Sequence, residues 1–135
     1  MKNLATCSPS EFFAQTVKVR HSAEGWLTAT DILNVRKNLP KIADDATEEE
    51  RRAAMTEQAK TNALKIFDAV FEQYPEKTME LLALCCFVDP AHIDDHPMDE
   101  YFEALMDMFE NKAVLRFFTL LTKLGQTNTS PARKR

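Results

Sequence analysis

The residues best equipped for chemistry fall into two short clusters. His92-Ile93-Asp94-Asp95-His96 places two imidazoles and two carboxylates within five residues, ligand types that suit a transition metal. Ligation also needs at least three groups converging on one point, and a stretch closed by Pro97 does not force convergence. The competing role is local: His96 or Asp95 caps the helix that follows while the other side chains face water. The second cluster, Cys85-Cys86, lies in Leu81–Val88, the longest apolar run of the chain. A thiol becomes nucleophilic when a nearby cation or helix N-terminus lowers its pKa, and the flanking sequence offers neither, so buried, inert thiols are expected. His21 has no sequence-local Cys or Ser partner that would make a triad argument more than a guess. The sequence contains no G-x-S-x-G, H-E-x-x-H, Walker, Rossmann or zinc-finger spacing. The reading is therefore a non-enzyme with no catalytic residue, no metal and no cofactor.

The elements that position these groups read as helices. Only 2 of the 135 residues are Gly, against the roughly 7% usual in soluble domains, which argues against tight hairpins and phosphate-cradling loops. Ser8-Pro9-Ser10-Glu11 has the form of a capping box and predicts a helix that ends near Ser22, with Gly25 as the break and Trp26-Leu27 in a tight connection. Thr28–Asp31 predicts a second cap, for a helix stopped by Pro40. After a loop over 41–46, Thr47-Glu48-Glu49-Glu50 opens up to 27 residues without Pro or Gly. The first half of this long helix is expected to project. The second half, with Leu64, Ile66, Phe67, Val70, Phe71 and Tyr74, is expected to enter the core. Leu81–Val88 is apolar on every face and predicts the enclosed helix. A loop to Asp95 or His96 leads to a helix from Pro97, and the last helix closes at Gly125. The fold class expected is all-α: a single compact domain of five or six helices over 1–125, with one long central helix and a disordered basic tail over 126–135.

Charge is unevenly distributed. Residues 1–43 carry a net +3, 44–88 a net −5, 89–110 a net −8 with no cation, and 111–135 a net +6 with no anion. Opposed blocks of this kind suit docking within the chain or self-association; solvated faces are the alternative. The overall charge of −4 opposes direct nucleic-acid binding. No run approaches the roughly 20 apolar residues of a membrane span, and no apolar signal segment opens the chain. With three cysteines and no natural pairing, a reducing cytoplasm is the expected setting.

Four stretches carry a family resemblance: Ser8-Pro9-Ser10-Glu11-Phe12-Phe13, the run from Gly25-Trp26-Leu27 through Asn34-Val35-Arg36, Leu84-Cys85-Cys86-Phe87-Val88, and Phe117-Phe118-Thr119-Leu120-Leu121. Together they resemble small helical proteins encoded in tail-gene clusters of prophages in gut Firmicutes, over residues 4–126 apart from 41–62. The resemblance implies a tail assembly chaperone or minor tail protein acting beside the tape-measure protein. It carries no functional residues over. The partner-binding candidates come from the helix after Pro97, where Met98, Tyr101, Phe102 and Met106 stand beside Asp99 and Glu103. Methionine repacks readily against varied partners, although core packing of the same residues competes with that role. The acidic 89–110 segment carries a second reading, a mimic of a phosphate backbone that occupies a host nucleic-acid-binding or defence protein.

Overall fold

The structure, a computed structural model, describes residues 1–127. Six α-helices follow in order, and no strand occurs among the described residues: α1 (Pro9–Thr30), α2 (Ile32–Val35), α3 (Glu48–Phe67), α4 (Pro75–Cys85), α5 (Met98–Glu110) and α6 (Lys112–Thr127). A π-helical segment, Asp68–Gln73, prolongs α3, and a 3₁₀ turn, Pro90–Asp95, precedes α5.

Both capping boxes form. The Glu11 amide donates to Ser8 Oγ at 3.3 Å and the Ser8 amide to Glu11 Oε1 at 2.9 Å. Thr47 and Glu50 exchange the equivalent pair at 3.1 and 2.8 Å. Each box satisfies amide groups that a helix N-terminus would otherwise leave without partners.

The expected break at Gly25 does not exist: α1 runs through Gly25 and Trp26 to Thr30. Asp31 makes the break instead, in the left-handed conformation at φ 56°, with its Oδ1 accepting from Asn34 Nδ2 at 2.7 Å. A short polar side chain tolerates that backbone because it can bond locally. Phe87 is the other described non-glycine residue with positive φ, at 58°. It ends α4 in a Schellman arrangement, the Val88 amide reaching the Ala83 carbonyl at 2.9 Å and the Phe87 amide the Leu84 carbonyl at 3.3 Å. The Lys2 ammonium lies 5.6 Å from the Phe87 ring centroid, a cation–π contact on a residue whose backbone is costly for a bulky side chain.

Two compact units can be described, each on its own. In residues 18–81, Trp26 Nε1 donates to Thr78 Oγ1 at 2.9 Å and Ser22 Oγ to Glu80 Oε1 at 2.9 Å, tying α1 to the start of α4. The Thr78 hydroxyl stands 2.8 Å from the Val70 carbonyl and 3.0 Å from that of Tyr74. The π segment explains the first of these. The Tyr74 amide bonds back to Ala69 at 2.9 Å, which frees the Val70 carbonyl for a side-chain donor. In α3 the inward face is polar: Gln58 Nε2 donates to Asn62 Oδ1 at 2.9 Å, and the buried Asn62 donates to the Asn38 carbonyl at 3.2 Å. The expected apolar stripe therefore splits. Ile66, Val70 and Tyr74 are half-buried, whereas Leu64, Phe67 and Phe71 are each more than half exposed, because helical rotation points them away from the face that reaches Asn38. Phe67 and Phe71 pack against each other instead, with centroids 4.7 Å apart and ring planes tilted by 50°.

The other unit comprises Met1–Val17 and the chain from Leu82 onward. Its core is Cys86, Tyr101 and Ala104, with Leu82, Cys85, Val88 and Ile93 packed around them. Gln15, itself buried, donates to the Leu84 carbonyl at 2.7 Å. Phe12 meets Phe117 and Phe118 with centroids at 5.8 and 6.2 Å. Of the eight residues Leu81–Val88, only Ala83 and Cys86 are fully buried, so the run is enclosed less completely than its composition suggests. Gly125 does not close α6, which continues through Gln126 to Thr127. The rest of the expected basic tail lies outside the described residues.

Candidate functional site

The two clusters with chemical potential resolve into separate local pairs. Pro90–Asp95 is a 3₁₀ turn rather than a loop, started by Asp89, whose side chain accepts from the Ala91 amide at 2.9 Å. Within it His92 Nδ1 faces Asp95 Oδ2 at 3.2 Å, while His96 Nδ1 faces Glu100 Oε1 at 2.8 Å. Neither His96 nor Asp95 caps α5, whose N-cap position is Pro97 with no side-chain cap bond. Among the described residues no three His, Cys, Asp or Glu side chains are grouped to hold a metal ion. The thiols of Cys85 and Cys86 are both pushed up to about 11 by burial, Cys85 further by its neighbour. Such groups stay protonated near neutral pH and attack poorly.

Helix α5 is organised differently. Tyr101, Ala104 and Met108 point inward; Tyr101 is 1% exposed and its hydroxyl donates to the Ile93 carbonyl at 2.8 Å. Burial raises its pKa. Tyr101 is thus a core anchor and drops out of the partner-binding set, because a buried aromatic hydroxyl with a satisfied bond has nothing to offer a partner. Met98, Phe102 and Met106 are 47%, 56% and 54% exposed, and Phe109 is 65% exposed beside them. At about 100° per residue these four fall within roughly 80° of helix surface, and Asp99, Glu103, Asp107 and Glu110 fill the next 80° or so. All four carboxylates are exposed. The chain brings five of the six expected residues onto one outward surface, an apolar strip bordered along one edge by negative charge.

No protein-family model matches the chain, and no similar curated protein or solved structure was found.

Two outward apolar features were not read from the sequence. One is Leu64, Phe67 and Phe71 on α3 and its π extension. The other is on α6, where Lys112, Leu115, Arg116, Thr119, Leu120 and Lys123 line a shallow groove of about 360 Å³. Lys112, Arg116 and Lys123 supply half of the net +6 of residues 111–135. What composition could not reveal is that these three share one side of α6. Among the described residues, no helix is long and apolar enough to cross a membrane.

Proposed function

We propose that this chain is a non-enzymatic binding protein that holds an amphipathic, basic helical segment of a partner against the outward face of α5, in the manner of a phage tail assembly chaperone or minor tail protein in the host cytoplasm. The observation that carries the reading is the α5 strip. Large flexible and aromatic side chains left outward in a single patch are costly to solvate, and such patches on monomers mark interaction sites. Methionine adapts to a partner's shape, and the adjacent carboxylates select a basic segment and set its register. The resemblance to prophage tail-cluster proteins names the partner class as a tape-measure-like tail component.

The test is co-expression with the tape-measure protein of the same genome, followed by co-purification. A chaperone's complex survives about 0.5 M salt, where exposed charge pairs are largely screened, and is not displaced by duplex DNA. Replacing Phe102 and Met106 by Ser abolishes it. Failure of the wild-type protein to co-purify refutes the reading. The acidic edge Asp99, Glu103, Asp107 and Glu110 favours a second reading, an inhibitor that mimics a phosphate backbone. In that case binding to a nucleic-acid-binding protein collapses in salt and is outcompeted by duplex DNA.

A further inference from the structure

We infer that the α5 face of one chain takes α6 of a second copy, so that the protein self-associates through reciprocal α5–α6 pairing. The inference rests on the reading of α5 as a binding face and supplies an occupant from the chain's own surface. Helix α6 presents what α5 lacks. Lys112, Lys123 and Arg116 lie within roughly 40° of its circumference, and the next 100° or so carries Leu120, Phe117 and Leu121. All six are exposed. Helix α5 contains acidic residues and no cation, and α6 contains cations and no acidic residue. Among the described residues none of Asp99, Glu103, Asp107, Glu110, Lys112, Arg116 and Lys123 takes part in an ion pair.

The order of the strips sets the pairing direction. Viewed from the N-terminus, a right-handed helix advances clockwise, so α5 shows its apolar strip and then its acidic strip, and α6 its basic strip and then its apolar one. Two helices lying side by side in the same direction then meet apolar to apolar and acid to base; in opposite directions the strips mismatch. At 1.5 Å per residue the two helices are about 20 and 24 Å long, a close match. Each copy offers both partners, so a two-fold dimer makes the contact twice.

Charge reversal on one helix at a time tests the pairing. One variant carries Glu103→Lys and Asp107→Lys on α5; the other carries Lys112→Glu and Arg116→Glu on α6. All four positions are exposed, and circular dichroism checks that both variants keep wild-type helicity. Light scattering at tens of micromolar protein and low salt is expected to find the wild type associated and each variant monomeric. An equimolar mixture of the two variants associates again, because every α5–α6 contact between unlike chains is complementary. One chain carrying all four substitutions likewise self-associates. A monomeric wild type, an associated single-helix variant, or a folded mixture that stays monomeric overturns the inference. The reading of function fails separately. The α6 variant keeps an intact α5 face and must still bind the tail component; if it does not, the functional reading fails, whatever the oligomeric result.

Discussion

Replacing Gly25 by Ala stabilises the protein if α1 is continuous. Gly25 lies inside a 22-residue helix, and a glycine in a helix interior is less favourable than alanine by about 1 kcal/mol, largely because it releases more backbone freedom on unfolding. Whether the gain is realised depends on the space around a new methyl group. A Cβ built at Gly25 meets nothing nearer than the tip of the Lys77 side chain at 4.0 Å, an ordinary contact with a flexible group. The full propensity difference should therefore appear, raising Tm by about 3–5 °C for a chain of this size. Urea denaturation followed at 222 nm should show a higher midpoint with unchanged slope. The opposite sign refutes the reasoning. A glycine at a break, as the sequence suggested, would occupy a backbone region closed to alanine, and the substitution would then destabilise.

Three further outcomes follow. Thr78→Val removes both the acceptor for Trp26 Nε1 and the hydroxyl facing the Val70 carbonyl, leaving two partly buried groups without partners. A loss of about 2 kcal/mol is expected by urea denaturation, with a change in tryptophan emission. Glu11 is held well below its ordinary 4.5, at about 2, chiefly by the Lys2 side chain and then by the Ser8 amide. Its stabilising effect is complete above pH 4.5, fades as pH falls towards 2, and is lost below that; Lys2→Ala should move the Glu11 titration upward in carboxyl-resolved NMR. At pH 8 only about one in a thousand molecules carries a thiolate at Cys85 or Cys86. Maleimide should therefore label both very slowly in native protein and rapidly in urea, and fast native labelling would contradict their burial.

What was legible in the sequence is what short-range bonding decides. Ser8–Glu11 and Thr47–Glu50 form their capping boxes because partners three residues apart need no distant contact. What was illegible depends on which face of a helix finds a neighbour. Leu64, Phe67 and Phe71 read as core, yet α3 turns Gln58 and Asn62 inward because Asn38 offers a carbonyl there, a partner 24 residues away. Tyr101 and Phe102 are adjacent aromatics on one helix, about 100° apart around its axis, and only the first meets the core of Cys86 and Ala104 and the Ile93 carbonyl, while the second is left outside. Among the described residues both αL positions went to Asp31 and Phe87, while both glycines lie within helices. Low glycine content was a sound guide to fold class and a poor one to helix ends.

The claim that matters most is that α5 presents the binding face, and the methionine methyl groups report on it directly. The chain has six methionines: Met98 and Met106 face outward on α5, Met108 is buried beneath them, Met1 opens the same unit, and Met55 and Met79 lie in the other unit. Methyl-labelled protein titrated with the tape-measure component should show the Met98 and Met106 resonances moving or broadening while Met55 and Met79 stay in place. Movement of Met55 or Met79, with Met98 and Met106 unchanged, would contradict the account.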